Sequence, residues 1–279
     1  MNLFYECSNG TKFDLIDDKI TCEKPETLLK RKWKYKSVSF INDFNKIKQF
    51  YKEATELPLT ISIICESKDE FNQLMKKLLD CFEKDISDKK PGRIYWNDYY
   101  KEVFVIDSEP SEFEEYLEAV DEKLTLLVLY DYWIKEKSFN YLSSNKVEFS
   151  QNSDFPYEFG EFDFLPTDVI DVIEFDNSSP VNFELTFWGP CVNPYIIVNG
   201  NEYRINNVEL TDGEYIIVNS KMKTITKHSI DGSESNIFNL RDSNNIFTLL
   251  PPGKSIITRQ NDAQISIKLF IEKGEPIWI

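Results

Sequence analysis

The sequence predicts two domains, a mixed α+β N-terminal domain over residues 1–138 and an all-β C-terminal domain over residues 139–279. Three observations carry this prediction. A length of 279 residues leaves room for two hydrophobic cores. The first half places one strongly helical segment between segments with strand-like alternation. The last third breaks into short apolar runs separated by turn dipeptides, which is typical of a closed or two-layer β domain.

The first strands are predicted from short apolar runs around turn residues. Residues 3–5 and 13–16 flank Gly10 and predict an opening hairpin. Leu59, Ile61 and Ile63 alternate with polar or β-branched residues, as on a half-buried strand. Further along the chain, residues 93–96, 103–106 and 124–133 are predicted as strands.

One helix is strongly indicated. Ser67-Lys68-Asp69-Glu70 forms a capping box, in which the serine hydroxyl and the glutamate carboxylate bond to free amides at the helix start. The apolar residues that follow share one helical face: Phe71, Leu74, Met75, Leu78 and Phe82. Pro91-Gly92 is predicted to end the helix. A second, weaker helix is predicted over residues 42–54 from the spacing of Phe44, Ile47 and Tyr51.

The C-terminal domain is punctuated by dipeptides that favour tight turns. Asn199-Gly200, Asp212-Gly213 and Asp231-Gly232 supply the positive φ angles of hairpin turns, and Pro252-Gly253 and Lys273-Gly274 continue the series. Strands that meet at such turns pair antiparallel. Turn signals at such short intervals predict a closed or two-layer β domain.

Composition excludes several classes of function. The net charge of −16 disfavours recognition of nucleic acid and adsorption to anionic membranes. No stretch approaches the roughly 20 apolar residues of a membrane helix, so no membrane insertion is expected. The first residues lack the pattern of a signal peptide, so synthesis and retention in a cytoplasm are expected. Five scattered cysteines without a Cys-x-x-Cys pair predict buried free thiols.

Catalytic and metal-binding patterns are weak, and no enzymatic activity, cofactor or metal is predicted. His228 is the single histidine, which disfavours a serine or cysteine triad and a zinc site. Residues 148–184 hold ten acidic and no basic residues, interleaved with aromatics, and are predicted to be the first strands of the second domain. A glycosidase carboxylate pair among Asp163, Asp168 and Asp171 stays open. Calcium binding by Asp168, Asp171 and Asp176 also stays open, although the spacing is not that of an EF-hand.

The order of several phrases in the second half resembles one family. The phrases are Gly189-Pro190 with Asn193-Pro194, Tyr203 after the Asn-Gly turn, Asp212-Gly213-Glu214-Tyr215-Ile216, Lys223-Thr224-Ile225, residues 236–241, Phe247 with Pro251-Pro252-Gly253-Lys254, and Glu275-Pro276-Ile277-Trp278. In this order they resemble the distal tail proteins of long-tailed phages that infect Gram-positive bacteria, the siphophage distal tail family. The N-terminal half resembles the same family less tightly.

The resemblance implies a fold, a role and partners. It implies a ring-forming N-terminal domain followed by a galectin-like β-sandwich. It implies a virion structural protein at the tail tip of a phage or prophage particle, a baseplate hub involved in host adhesion. Six copies would form a homo-hexameric ring, single or stacked, that joins the major tail tube protein to tail tip and receptor-binding proteins. A glycine-rich loop expected near residues 38–50 is replaced here by a helix-like stretch over residues 43–52.

An alternative is a carbohydrate-binding module of a tail or cell-wall protein. Galectin-like folds raise the question of sugar binding, and Trp188, Tyr203 and Arg204 are the candidate sugar-binding residues, with Tyr195 beside them. Aromatic residues at alternating positions of a sandwich are also typical core residues. Fold alone does not assign a sugar site.

Overall fold

A computed structural model describes residues 2–39, 45–114, 119–142, 168–242, 244–260 and 264–276. The chain divides into two compact units. Unit 1 comprises Met1–Lys135 and Glu272–Ile279, and unit 2 comprises Glu136–Ile271. The boundary between the units falls within one strand on the outward path of the chain and within the last strand on the return path.

Within the described residues, unit 1 contains most of the long strands and one α-helix. Its elements in chain order are β1 (Leu3–Glu6), β2 (Lys12–Asp14), β3 (Ile20–Cys22), a 3-10 helix (Pro25–Leu29), β4 (Lys34–Ser39), β5 (Asn45–Tyr51), β6 (Thr55–Ile64), α1 (Lys68–Asp88), β7 (Gly92–Trp96), β8 (Tyr99–Glu114), β9 (Ala119–Val128) and the start of β10 (Trp133–Tyr141).

Two antiparallel sheets of unit 1 share the long strand β8. One sheet has the order β10-β8-β7-β1-β2, and the other has the order β3-β6-β9-β8. The alternating buried residues of β6 and β9 pack with one face of α1 into a single core. The opening hairpin of β1 and β2 is confirmed, with Tyr5 opposite Phe13.

The helix predicted from the capping box is confirmed. Ser67 is the N-cap, and its hydroxyl accepts a hydrogen bond from the Glu70 amide at 3.3 Å. The helix ends at Asp88, because Lys89 takes a left-handed conformation with φ 53°. The predicted face is buried at Phe71, Leu78 and Phe82, with Leu74 and Met75 packed beside them.

The prediction of a mixed α+β N-terminal domain is wrong, because unit 1 is built mainly of β-sheet. Among the described residues α1 is the single α-helix. The second helix predicted over residues 42–54 is instead β5 where it is described, and β5 pairs with β4. Ile47, Phe50 and Tyr51 are β-branched or aromatic residues that fit a pleated strand, and this preference together with pairing to β4 outweighs their helical spacing.

The apolar run predicted as one strand over residues 124–133 forms parts of two strands. β9 ends at Val128 and β10 begins at Trp133, with a turn between them in which the Tyr132 amide bonds to the Tyr130 carbonyl at 2.8 Å. Continuous apolar composition did not reveal the break, because Tyr130 and Tyr132 are aromatic residues of the kind that strands also favour.

Unit 2 is a series of short strands. They are β11 (Asp168–Phe175), β12 (Asn182–Trp188), β13 (Cys191–Val192), β14 (Tyr195–Val198), β15 (Asn201–Arg204), β16 (Glu209–Leu210), β17 (Tyr215–Asn219), β18 (Thr224–His228), β19 (Glu234–Asn236), β20 (Gly253–Gln260) and β21 (Gln264–Lys273), with 3-10 helices at Phe238–Leu240 and Asn244–Phe247.

Unit 2 is a two-layer arrangement consistent with a β-sandwich. One sheet includes β19-β18-β17-β12-β21, and the other has the order β11-β20-β14-β15, all antiparallel. Inward residues of both sheets, such as Phe183 and Ile257, join one core. The Asn-Gly turn predicted between β14 and β15 is confirmed, with φ 48° at Asn199 and 84° at Gly200. A galectin-like relationship of this sandwich stays a prediction.

Candidate functional site, a basic arm on unit 1

The hairpin of β4 and β5 stands apart from the two larger sheets of unit 1. It forms a separate two-stranded sheet in which Tyr35 lies opposite Phe50 and Val38 lies opposite Lys46. A bulge between Lys36 and Ser37 places one extra residue in β5. We call these two strands, Lys34–Ser39 and Asn45–Tyr51, the arm.

The two faces of the arm differ in chemistry. Tyr35, Ile47 and Phe50 share one face by the strand register, and the Tyr35 and Phe50 rings meet edge to face at 6.5 Å. Their exposed fractions are 63%, 50% and 56%. The opposite face carries lysines, among them Lys36, whose ammonium lies 5.4 Å from the centre of the Tyr51 ring. An isolated two-stranded hairpin is marginally stable in water. Contact of either face with a partner surface would therefore stabilise the arm.

The arm and its flanks concentrate positive charge on an acidic chain. Residues 30–52 hold eight Lys or Arg and one acidic residue, a net charge of +7. Because the whole chain carries −16, the remaining residues together carry −23. Such a separation of charge gives strong local electrostatic potentials of both signs on one molecule.

The arm is fixed to unit 1 at its base by a buried cluster of charges. Lys101 is fully buried, and its ammonium lies 2.6 Å from one carboxylate oxygen of Asp131. Lys52, which directly follows β5, lies 3.5 Å from the other carboxylate oxygen and also donates to the Asp131 backbone carbonyl. The Lys101 ammonium further contacts the Leu28 carbonyl at 3.4 Å. One carboxylate therefore holds two lysines that are far apart in sequence.

Aromatic rings complete the anchor around Lys52. Its ammonium lies 4.0 Å from the centre of the Tyr132 ring and 5.3 Å from that of Trp33, which directly precedes β4. Burial lowers the pKa of Lys52 and of Lys101 below their ordinary values, and the charge of Asp131 acts in the opposite direction. Removing one partner of such a buried pair leaves an uncompensated charge, so we expect this anchor to be strict in its residue types.

The candidate sugar-binding residues lie in unit 2 and are engaged within the sandwich. Tyr203 is 2% exposed, and its hydroxyl donates to the Thr248 carbonyl at 2.8 Å. The Trp188 indole donates to Ser266 at 3.0 Å, and its ring packs against that of Tyr215. The Arg204 guanidinium lies 4.1 Å from the centre of the Tyr195 ring and 2.6 Å from a Glu202 oxygen. Sugar binding by these residues stays a prediction.

The other residues singled out in the sequence have structural contacts where they are described. Asp171 pairs with Arg259 at 2.6 Å, whereas Asp163 and the side chain of Asp168 lie outside the described residues. The His228 ring stacks on that of Tyr215 at 4.6 Å. In the described parts of the chain, no three His, Cys, Asp or Glu residues are grouped so as to hold a metal ion.

All five cysteines are buried free thiols. No helix within the described residues is long and apolar enough to span a membrane.

The arm was not predicted as a site, although the sequence holds a signal for it. The run Lys30-Arg31-Lys32-Trp33-Lys34-Tyr35-Lys36 is basic and aromatic on a strongly acidic chain. A helix predicted over residues 42–54 concealed its pairing with the second basic run, which includes Lys46 and Lys48. The anchoring cluster of Lys52, Lys101 and Asp131 could not be predicted, because its members are far apart in sequence.

Comparison with known proteins gives a consistent structural relationship. Neither a protein-family model nor a curated protein sequence matches this chain. Among solved structures, the chain is similar to the Dit (gp 19.1) protein of phage SPP1, described as a paradigm of the hub adsorption apparatus in Gram-positive infecting phages. The TM-score is 0.57 at 8% identity, covering 97% of this chain and 99% of that protein.

Two further similar structures come from a phage baseplate. A chain of the phage P2 baseplate in its activated conformation with Ca gives a TM-score of 0.62 at 13% identity, covering 99% of this chain and 100% of that one. A chain of the p2 baseplate in its activated conformation with Sr gives 0.55 at 14% identity, covering 96% and 97%. The resemblance predicted from the sequence is therefore confirmed in the fold, which this chain shares from end to end with phage tail hub and baseplate proteins.

Proposed function

We propose that this chain is a structural protein of a phage tail tip, of the distal tail type. In this role six copies form a ring through unit 1, and the ring joins the tail tube to the tip and its host-binding proteins. The observation that carries the proposal is the end-to-end fold similarity to SPP1 Dit, which covers nearly the whole of both chains. A similarity that covers nearly the whole of both chains supports a shared role better than a match of one domain, although fold alone does not assign function.

The exposed side chains of the arm are evidence for a role in assembly. It exposes apolar and basic side chains that a protein acting alone would leave open to water, and its base is fixed by the buried Lys52–Asp131–Lys101 cluster. Closed cyclic symmetry is the common result when such a contact repeats between identical chains around a channel. The role proposed here is mechanical, and it requires neither a catalytic group nor a cofactor.

The mass of this chain in solution tests the proposal. Light scattering after size-exclusion chromatography is expected to give about six times the 32.8 kDa of one chain, or twice that for two stacked rings. Negative-stain images of the same fraction are expected to show a ring with a central hole. A monomer that stays monomeric with purified tube and tip proteins would exclude the ring.

A glycan array tests the carbohydrate-binding alternative on the same protein. Binding to a cell-wall glycan that is lost in Trp188→Ala would favour that alternative. Turnover of such a glycan would contradict the proposal that the protein is not an enzyme. A folded ring without glycan binding or turnover is the outcome that the structural role predicts.

A further inference from the structure

Two buried thiols of unit 1 lie beside each other, although they are 74 residues apart in sequence. Cys7 directly follows β1, and Cys81 lies on the buried face of α1. The Cys7 sulfur is 3.5 Å from the Cys81 backbone oxygen, and the two thiol side chains are hydrogen-bonded to each other. Side-chain rotation that brings the two sulfur atoms to about 2.0 Å would give a disulfide that joins β1 to α1.

The two thiols differ in their access to solvent. An open pocket of about 420 Å³ lies beside the turn between β1 and β2, and Cys7, Gly10 and Arg93 are among the residues that line it. Cys81 is not among the described residues that line this pocket, although the two side chains are buried to a similar degree. A small oxidant that enters the pocket therefore reaches Cys7 first.

The surroundings of the two sulfur atoms assign them different roles. The buried Asp85 carboxylate lies 3.1 Å from the Cys7 sulfur and accepts the hydrogen bond of its thiol. Because a thiol attacks an oxidant as the thiolate, an acceptor for its proton favours reaction at Cys7. Burial, followed by the bond to Cys7, raises the pKa of Cys81 well above its ordinary value, so this thiol stays protonated at neutral pH. Cys7 is suited to react first and Cys81 to react second.

We propose that Cys7 and Cys81 are a site of oxidative cross-linking, at which a peroxide oxidises Cys7 and Cys81 then closes a disulfide. In the first step the Cys7 sulfur bonds to one oxygen of hydrogen peroxide, and the O–O bond breaks. The thiol proton passes through Asp85 to the departing oxygen, which leaves as water. In the second step the Cys81 sulfur displaces the hydroxyl of the Cys7 sulfenic acid, and this hydroxyl leaves as water with the Cys81 proton. Two thiols and one peroxide give one disulfide and two waters.

The cross-link gives unit 1 additional stability under oxidising conditions. A disulfide restricts the unfolded chain, and the restriction is large when the bond closes a loop as long as that between Cys7 and Cys81. We expect the Tm of the oxidised chain to exceed that of the reduced chain by about 5–15 °C. The chemistry is independent of the proposed function, because both thiols belong to one chain. Its timing rests on that function, since a tail protein meets oxidising surroundings when the particle leaves the reducing cytoplasm.

Peptide mapping of the wild type tests the cross-link directly. The reduced chain is treated with hydrogen peroxide, alkylated with N-ethylmaleimide in denaturant, and digested with trypsin without reduction. Tryptic cleavage separates the four cysteines of unit 1 from one another. The expected product is the Cys7 peptide joined to the Cys81 peptide, two hydrogens lighter than their sum. The intact chain should carry two fewer alkyl groups than the five of the reduced chain, and dithiothreitol should restore all five.

Single substitutions test the order of the two steps. Cys81→Ala is expected to stop at the Cys7 sulfenic acid, which dimedone traps, and to lose the rise in Tm. Cys7→Ala is expected to leave Cys81 as a thiol at the same dose of peroxide. Cys22→Ala, at another buried thiol of unit 1, is the control and should form the cross-link as the wild type does. Circular dichroism checks the folding of each variant, and the map of the wild type needs no variant.

Three results would overturn the proposal. The first is a Cys7 thiol that survives a dose of peroxide sufficient to oxidise Met222, which is 69% exposed and serves as an internal reference. The second is oxidation of Cys7 to a sulfinic acid without a cross-link to Cys81. The third is a folded chain that gives the same mixture of disulfides as a chain oxidised in denaturant. The mass of the assembly in reducing buffer is a separate measurement, so none of these results bears on the ring.

Discussion

At the scale of single residues, Asp85 is the clearest example of a polar group that stabilises the core. It is fully buried on α1, and its carboxylate accepts hydrogen bonds from the Tyr5 hydroxyl at 2.5 Å and from the Ser8 amide at 2.8 Å. The Cys7 thiol lies 3.1 Å away. Burial, with the bond to Asp85, raises the pKa of Tyr5 well above its ordinary value, so the phenol stays protonated as a donor.

Replacing Asp85 is expected to destabilise unit 1. Asp85→Ala leaves the buried Tyr5 hydroxyl and the part-buried Ser8 amide without their acceptor, which costs roughly 2–4 kcal/mol of unfolding free energy. Asp85→Asn keeps one acceptor oxygen and should cost less. The control is Asp88→Ala one turn later on α1, where the carboxylate is 42% exposed, and it should stay within about 0.5 kcal/mol of the wild type. Chemical denaturation measures both, and equal effects would contradict the role given to Asp85.

Glu214 supplies a prediction about pH. Its carboxylate accepts from the Thr211 amide at 2.8 Å and the Thr211 hydroxyl at 2.9 Å, and it lies 2.9 Å from the Lys227 ammonium. The bond from the Thr211 backbone, followed by those from Lys227 and the Thr211 hydroxyl, lowers its pKa from 4.5 to about 2. A lowered pKa means that the stabilisation is complete above pH 4.5 and is lost as the pH falls to about 2.

The difference in Tm between the wild type and Glu214→Gln is therefore expected to be largest at pH 7 and to shrink between pH 4.5 and pH 2. Thermal melts across that range measure it. Asp212→Asn in the same turn is the matched control, because Asp212 is exposed. A Tm difference that does not depend on pH would show that the effect of Glu214 is steric rather than electrostatic.

At the scale of elements, short sequence motifs predicted the helices and turns whose conformation depends on neighbouring residues in the chain. The helix α1 and the hairpin at Asn199-Gly200 were predicted correctly, because a cap and a positive φ depend on neighbours in sequence. The segment at 45–51 was wrongly predicted to be helical. Its strand conformation depends on pairing with residues 34–39, which a local sequence pattern does not show. Ile47 and Phe50 are both exposed in β5, so this strand lacks the alternation of buried and exposed residues that would identify it.

The anchor of the arm gives a prediction at this scale. Lys52→Met keeps the apolar stem of the side chain and removes the charge that joins β5 to Asp131 and to the Trp33 and Tyr132 rings. Because Lys101 still neutralises Asp131, we expect the core to stay folded while the arm opens more often.

Hydrogen exchange read by mass spectrometry measures this opening. The amides of β4 and β5 are expected to exchange faster in Lys52→Met, by about fivefold to thirtyfold for 1–2 kcal/mol of lost local stability. Amides of β6 and β9 should be unchanged. Lys48→Met, at an exposed position of the arm itself, is the control. Uniformly faster exchange throughout unit 1 would mean that Lys52 stabilises the core and not the arm.

At the scale of the whole molecule, the sequence predicted the class of protein better than its contact surfaces. The ordered phrases between Gly189 and Trp278 led to a tail fold that the solved structures share. The net charge of −16 disfavoured binding to nucleic acid and to anionic membranes, yet this total concealed a segment of net charge +7 at residues 30–52. A surface such as the arm depends on which residues share a face, and that follows only from strand register.

This separation of charge predicts an unusual response of assembly to salt. Copies that each carry −16 repel one another over long distances, whereas the basic segment of residues 30–52 attracts the acidic surface of a neighbouring copy at short distance. The Debye length is about 30 Å at 0.01 M salt, about 8 Å at 0.15 M and about 3 Å at 1 M. Moderate salt therefore screens the repulsion between whole molecules first, and only high salt weakens the attraction at the contact.

Assembly is accordingly expected to be strongest near 0.15 M salt and weaker at both 0.01 M and 1 M. Sedimentation velocity at the three concentrations measures the fraction in rings. A variant with Lys46→Gln and Lys48→Gln has less attraction to screen, so its weaker assembly should only increase with salt, driven by apolar contact and reduced repulsion. A wild type whose assembly rises steadily to 1 M would show that the contact is apolar and that the lysines of the arm do not contribute to it.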